Sequence, residues 1–456
     1  MVPFQPHPSS YRDPSGFLFW HEGTLYRQVN RSFGKAFDQF HSGGLSAHLV
    51  SKGILTPYEP VNRNLTGSSD WHQTLKPAFL PFISYPYEWS FDMLKDAALT
   101  TLEAAREAIA YRMHLKDASA YNVQLHKGRM QFIDTLSFEP YNEQKPWVAY
   151  RQFCEHFLAP LALMHYLKEP LQPLQLAWPD GIPLPLTKKF LPGRSRWNLH
   201  VYLNLHLQAN LSQKAVGNPE KQVRFSKSKM LQLLKSLRTA VNSFHLDSPS
   251  GVWSAYYEEA MQRDDYVQQK KKIIEEWLPG LTVNSAVDVG ANEGEFSFLL
   301  AEKGIRTISA DFDHFSINNL YKKMKQRNVG NLYPLLVDLG NPSPAIGVNN
   351  QERASFLERA GSDLVLALAV IHHLAIGKNI DFEKIATFFA SLGKTLLLEF
   401  VPKEDEKVQL MLRHKPDVYD WYSRENFLHS FSTRFDLVRE EAIGSSGRSL
   451  LLFKAR

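Results

Sequence analysis

The chain has 456 residues, 44% of them hydrophobic and 22% charged, with a mean hydropathy of -0.31; this balance excludes wholesale disorder and suits about two or three globular domains. No run of about 18 apolar residues occurs, so a transmembrane reading is excluded and a soluble chain without a membrane partner is expected. Fifty-two Lys and Arg against 47 Asp and Glu leave a net charge of +5, far from the basic stripe of a dedicated nucleic-acid binder, and nucleic acid is not indicated.

In chain order, Met1 to Ser10 is rich in Pro and polar residues and lacks the basic-then-apolar pattern of a secretory signal. Phe17 to Trp20 and Thr24 to Val29, split by Glu22-Gly23, predict a hairpin. Phe37 to Lys52 is a candidate helix, and Leu75 to Ile83 predicts a further strand despite Pro77 and Pro81. From Phe91 to His114, Ala, Leu, Glu and Arg dominate after Ser90, a candidate N-cap, so a long helix is predicted. Cys154 is the single cysteine. It allows neither an intramolecular disulfide nor a Cys-based zinc site, which points to a reducing, cytoplasmic compartment and to no resident metal. Pro-rich segments at Pro170 to Pro185 and Leu191 to Ser195 interrupt the later helices. Ser226 to His245 is another amphipathic helix, and Asp247 to Gly251 has the composition of a linker.

Within this first part, Leu115-Lys116-Asp117-Ala118-Ser119-Ala120-Tyr121-Asn122-Val123 places Asn122 five residues after Asp117. Phe132-Ile133-Asp134 follows a short hairpin with Lys127-Gly128 at its turn. That Asp, Asn, Asp order after a long helix resembles the catalytic loop and metal-binding aspartate of protein-kinase-like and aminoglycoside-phosphotransferase-like folds. The resemblance implies that Asp117 orients an accepting hydroxyl, that Asn122 and Asp134 hold magnesium, and that Pro81 to Trp89 is a hinge. The departures are large: there is no Gly-rich loop, no Val-Ala-Ile-Lys strand and no glutamate in Phe37 to Lys52. Leu115-Lys116 stands for His-Arg, and Thr135-Leu136 for Phe-Gly. A degenerate substrate-binding or regulatory lobe, an accidental match and an active kinase all stay open, with residues 1–247 as one domain.

The remaining domain, 248–456, opens with a predicted helix over 252–278. Trp253, Tyr256, Tyr257 and Tyr266 alternate there with charges, and Lys270-Lys271-Lys272 lies within it. One reading is a lid in which Tyr266 or a lysine touches a ligand; the favoured one is an aromatic face packed on the domain beside a solvated charge run. Then Ala286 to Val289, Thr307 to Ala310, Tyr333 to Val337, Leu364 to Ala369 and Thr395 to Phe400 predict parallel strands separated by helices. Phe435 to Ile443 and Ser449 to Lys454, joined through Gly444-Ser445-Ser446-Gly447, predict a closing antiparallel hairpin.

After the first of those strands comes Asp288-Val289-Gly290-Ala291-Asn292-Glu293-Gly294, a turn whose glycines let the backbone bend and a ligand approach. Glu293 and Glu295 disfavour a pyrophosphate there and tolerate a cationic ligand. Asp311 ends the second strand, where a carboxylate can accept from a ribose diol. Asp338 closes the third, where it can accept from an adenine amine. These residues resemble the class I S-adenosylmethionine-dependent methyltransferases over roughly Val283 to Arg456. The resemblance implies an α/β Rossmann-like domain with a seven-stranded sheet, and S-adenosyl-L-methionine as cofactor. It implies that Asp288, Gly290, Asn292 and Gly294 hold the methionine end, Asp311 the ribose and Asp338 the adenine. Asp363 to Leu374, with Ala369, would line the methyl-donor pocket. His372 and His373 are candidates for a base or a substrate-orienting group, with one imidazole expected to pack inward, and Glu399 is a third catalytic candidate. No Asn-Pro-Pro-Tyr-like motif and no catalytic cysteine lie in this part, so the acceptor, small molecule or protein, is not identified. A methyltransferase is the leading expectation; a cofactor- or nucleotide-binding regulatory protein, or a bifunctional kinase-like and methyltransferase protein, is the alternative.

Overall fold

The computed structural model describes residues 4–214, 225–247, 264–413 and 415–456. The chain falls into two compact units, Met1–Asp247 with Ala345–Arg353, and Ser248–Pro344 with Ala354–Arg456. Residues 248–251 of the expected linker, and Trp253, Tyr256 and Tyr257, lie outside the described residues.

In the first unit, β1 (Gln5–Pro6), β2 (Gly16–His21), β3 (Thr24–Asn30), β4 (Tyr58–Val61) and β5 (Trp71–Pro77) form a five-stranded antiparallel sheet in the order β1-β2-β3-β5-β4. The β2–β3 turn puts Glu22 (φ 51°) and Gly23 (φ 72°) in the left-handed region, as a two-residue hairpin loop between twisted strands requires. β5 stops at Pro77 and does not run on to Ile83, because Pro77 and Pro81 carry no amide donor for the ladder. Between β3 and β4 the single expected helix is two, α1 (Gly34–Ser42) and α2 (Leu45–Ser51), parted at Gly43-Gly44 with Gly44 at φ 87°.

The long helix α3 (Phe91–Ala110) ends before His114, since Arg112 turns left-handed (φ 58°) and feeds β6 (Met113–Leu115). Ser90 occupies its N-cap position, but the hydroxyl makes no capping bond; the Ser90 carbonyl accepts from the Leu94 amide at 3.0 Å. β7 (Val123–His126) and β8 (Arg129–Phe132) are a hairpin, and β6 pairs with β9 (Phe138–Pro140). Further on come α4 (Leu184–Phe190) and α5 (Lys227–Ser243), the latter capped by Ser226, whose hydroxyl oxygen accepts from the Lys229 amide. Ala345–Arg353 joins this unit through Glu352, which accepts from Tyr11 at 3.0 Å and Arg12 at 2.8 Å.

The second unit begins, in its described part, with α6 (Asp264–Trp277). Its sheet contains β10 (Ser285–Val289), β11 (Arg306–Asp311), β12 (Leu332–Leu336), β13 (Ser362–Ala367), β14 (Gly393–Phe400), β15 (Phe435–Ala442) and β16 (Ser449–Ala455), in the order β12-β11-β10-β13-β14-β16-β15. β10 to β14 are parallel, and β16 runs antiparallel to both β14 and β15. Every residue of β10 and β12 is buried, which is why these strands read as unbroken apolar runs with few polar positions. Helices α7 (Glu295–Glu302), α8 (His314–Gln326) and α9 (Phe382–Leu392) lie in the crossovers. The order reverses between β10 and β13, so a crevice opens beyond their C-terminal ends, the place where open α/β sheets take ligands. This is the seven-stranded sheet with a closing antiparallel hairpin that the sequence led one to expect.

Candidate functional site

The turn after β10 owes its path to glycine. Gly290 has φ 77°, and a Cβ there would lie 2.3 Å from Val370 Cγ2 in the turn that follows β13. Gly294, at φ 85°, would place a Cβ 2.6 Å from Leu320 Cδ1 on α8. Neither position has room for a side chain, so glycine lets the two turns pack closely. Two further residues adopt left-handed backbone without being glycine, Asn292 (φ 48°) and Ala369 (φ 53°). Such conformations cost about 1–2 kcal/mol and concentrate at ligand sites.

Asp311, at the end of β11, is 8% exposed. Its Oδ2 accepts from the Asn292 amide at 2.8 Å and its Oδ1 from the Asp313 amide at 2.9 Å. The Phe312 amide also acts on this carboxylate, which still keeps acceptor capacity for a further donor. Burial raises the Asp311 pKa more than these amides lower it. Asp338 is less enclosed: it accepts from the Gly340 amide at 2.9 Å and pairs with Lys378 at 2.8 Å. The glutamates of the turn bend away to cations outside it, Glu293 to Lys323 at 2.6 Å and Glu295 to Lys271.

Asp288 is 3% exposed and accepts from the Ser297 hydroxyl at 2.6 Å, and burial pushes its pKa up to about 7. An unfolded aspartate titrates near 3.9, so between those values the folded chain binds more protons than the unfolded one, and stability falls as pH rises from about 4 to about 7. Asp288→Asn removes that loss. Its stabilising effect should be small near pH 4 and grow to roughly 3–4 kcal/mol at most above pH 7. Thermal midpoints of both proteins at about pH 5 and pH 8 check this; an equal difference at the two values would contradict it.

His372 and His373 start the turn after Val370, with ring centroids 4.2 Å apart. His372 packs inward, 2% exposed, and its Nδ1 has no hydrogen-bond partner; His373 is exposed. Burial, reinforced by His373 and Arg448, holds the His372 pKa well below the ordinary imidazole range, so the ring is neutral. Glu399, on β14, is wholly buried and accepts from Tyr266, from Lys270 at 3.1 Å and from Arg448 at 3.1 Å. Burial alone would raise its pKa, but Lys270 and Arg448 hold it low. Arg448 also grips Asp405 with two bonds, at 2.7 and 3.0 Å.

The charge run on α6 is therefore not uniformly solvated. Lys270 is 5% exposed and lies over the rings of Tyr266 and Phe296, while Lys272 faces solvent. Tyr266, Lys270, Ile273, Ile274 and Trp277 share one helical face, and Ile273, Ile274 and Trp277 pack in the core with Leu364, Leu366 and Leu397 of the sheet. That spacing was the available signal for Lys270. Nothing in the sequence around Arg448 or Asp405 indicated their pairing.

In the first unit, Asp117, Asn122 and Asp134 do gather. Asn122 donates to Ser137 Oγ at 3.4 Å, Ser137 donates to Asp134, and the Asp134 charge contributes to raising the Asp117 pKa, after burial. Arg27, projecting from β3, forms an ion pair with Asp134 in largely buried surroundings. Burial would raise the Asp134 pKa, yet Arg27 and Ser137 bring it below the usual range. Among the described residues no group of three or more His, Cys, Asp or Glu is placed to hold a metal ion.

No protein-family model matches the chain. Nodulation protein NoeA of Rhizobium meliloti (strain 1021) is 30% identical over 473 residues, covering 100% of this chain and 98% of NoeA. The chain belongs to the NoeA family. Solved structures similar to this NoeA-family chain include the bifunctional kinase-methyltransferase WbdD, at 16% identity and a TM-score of 0.28 over 42% of this chain and 39% of that one. The magnesium protoporphyrin IX methyltransferase ChlM of Synechocystis PCC 6803, with bound SAH, is 16% identical with a TM-score of 0.32 over 42% and 85%. The PH0226 protein of Pyrococcus horikoshii OT3 is 16% identical with a TM-score of 0.31 over 41% and 92%. The chain thus spans about two fifths of the length of WbdD.

Proposed function

We propose that this NoeA-family chain is a cytoplasmic S-adenosylmethionine-dependent methyltransferase, with every cofactor-contacting residue in the second unit. The observation that carries the reading is the pairing, at the sheet's switch point, of a glycine turn too tight for a side chain (Gly290) with a buried carboxylate held by backbone amides that keeps acceptor capacity to spare (Asp311). The residues fit the group: Gly290, Asn292 and Gly294 would cradle the methionine end beside Asp288, Asp311 would take both ribose hydroxyls, and Asp338 the adenine amine. When bound, S-adenosylmethionine supplies an electrophilic methyl on a sulfonium. The protein's task is then to align a nucleophile and exclude water, which needs no strong base when the nucleophile is neutral. His372, neutral and with an unpartnered ring nitrogen, is suited to orienting an acceptor by a hydrogen bond, while its depressed basicity makes it a poor proton acceptor; His373 stands beside it facing solvent. Glu399, buried and engaged by Tyr266 and two cations that hold its pKa low, ties α6 to the sheet instead of acting as a base.

Asp311→Ala should weaken S-adenosylhomocysteine binding by about 2–4 kcal/mol, since two hydrogen bonds to a buried carboxylate are lost. Incubation of the chain with isotopically labelled cofactor and cellular metabolite and protein fractions should label an acceptor, and the Asp311→Ala protein should not. Labelling that survives in a folded Asp311→Ala protein would refute the reading.

We read the first unit as a degenerate kinase-like lobe. Asp117, Asn122 and Asp134 lie near one another, but the Asp134 carboxylate already has Arg27 and Ser137 as partners, so the donor set does not fit magnesium. ATP-magnesium is expected to bind no better than about millimolar. Tight magnesium-dependent binding, lost in Asp134→Ala, would instead make the protein bifunctional.

A further inference from the structure

A segment of the first unit, positions 181–211, exposes aromatic and aliphatic groups together with cations and contains no Asp or Glu in its own sequence. Here α4 ends at Phe190, a single-turn helix covers Gly193–Trp197, and Leu199–Val201 runs on into the wide-turned Tyr202–Leu207. The backbone is firmly held. The Asn198 side chain accepts from the His200 and Val201 amides, at 3.1 and 3.3 Å, and donates to Ser243 of α5 at 3.2 Å. The His200 ring bonds Ser236 of α5 at 2.9 Å.

On this rigid support Trp197 is 89% exposed, Leu199 62%, Phe190 48%, and Tyr202 and Leu203 39% each. Scattered exposed apolar residues are ordinary; five large ones within fourteen residues of an anchored segment are a patch, and patches of this kind mark interaction surfaces. Lys189, Arg194 and Arg196 are exposed among them, and positions 181–211 contain no Asp or Glu. The chain's modest overall charge concealed this local bias.

We propose that this band docks on an anionic membrane surface. Trp and Tyr settle at the depth of lipid headgroups, Leu and Phe enter the acyl boundary, and Lys and Arg reach lipid phosphates while their stems stay in apolar surroundings. Each basic residue near an anionic leaflet strengthens attachment roughly fivefold. Nucleic acid would leave Leu199, Leu203 and Phe190 unmatched, whereas an anionic bilayer answers the cations and the aliphatic groups together; an acidic protein face is the alternative that the vesicle experiment separates. Among the described residues no helix is long and apolar enough to cross a membrane, so the attachment is peripheral. It sets aside the expectation of no membrane partner.

Co-sedimentation of the full chain with vesicles tests this, using phosphatidylcholine alone and phosphatidylcholine with about 30% phosphatidylglycerol, a content giving a strong negative surface potential. The chain should sediment with the anionic vesicles only, and less so in high salt. Trp197→Ala with Leu199→Ala, and separately Arg194→Gln with Arg196→Gln, should each lower the partition coefficient about tenfold or more. Leu437→Ala with Val438→Ala, exposed apolar positions on β15, should leave it unchanged. Unaltered circular dichroism confirms that the variants are folded. Failure to bind either vesicle, equal binding by the Trp197 and Leu199 variant, or a loss in that variant confined to self-association or to RNA binding would overturn the proposal.

Discussion

Gly290→Val is expected to abolish S-adenosylhomocysteine binding and to destabilise the chain by about 2–5 kcal/mol. Two costs add. The backbone at φ 77° is one that a β-branched residue adopts only under strain, and the new Cβ would sit 2.3 Å from Val370 Cγ2. Val370 cannot simply retreat, because it is buried at the start of the turn carrying His372. Any relaxation therefore moves both turns that frame the crevice. Gly304→Ala separates the costs: Gly304 has φ 82°, but nothing lies within 4 Å of its would-be Cβ, so it should lose only about 1 kcal/mol and bind normally. Denaturant titration and ligand calorimetry on both proteins check the pair. Wild-type affinity in a folded Gly290→Val protein would remove the glycine turn from the site.

Glu399→Ala should cost about 3–5 kcal/mol, the range for breaking a buried ion pair from one side. Lys270 and Arg448, 7% and 8% exposed in their side chains, would be left facing each other without the anion between them. Replacing Glu399 and Lys270 together by Leu and Met should recover much of that loss, because well-packed apolar groups replace a buried pair at little net cost. With the Glu399 pKa held low, this contribution is present above the unfolded carboxyl value of about 4.3 and is lost as pH falls through the folded one. Urea unfolding of the single and double variants reads both effects. A single variant that loses less than about 1 kcal/mol would mean that water already reaches the cluster.

The parallel strands of the second unit were legible because burial on both faces forces each into an apolar run, and because Gly290 and Gly294 punctuate the turn. Helix breaks were less so. Gly43-Gly44 lies inside an otherwise continuous pattern, and Arg112 turns left-handed with no residue type to announce it. Charged residues were least legible of all. Lys270 sits in a run of three lysines, of which only the position shared with Ile273, Ile274 and Trp277 decides that it turns inward. Arg27 meets Asp134 across 107 positions of sequence, a pairing fixed by the packing of β3 on the loop after β8 and absent from any local pattern.

Titration of S-adenosylhomocysteine into the full chain by calorimetry, with the Asp311→Ala protein beside it, tests the cofactor assignment most directly. Saturable binding at one site per chain, displaced by S-adenosylmethionine and weakened about thirtyfold or more in Asp311→Ala, as a loss of 2 kcal/mol or more requires, is the predicted result. A folded chain that takes up neither compound, or binds both equally well without the Asp311 carboxylate, would contradict it.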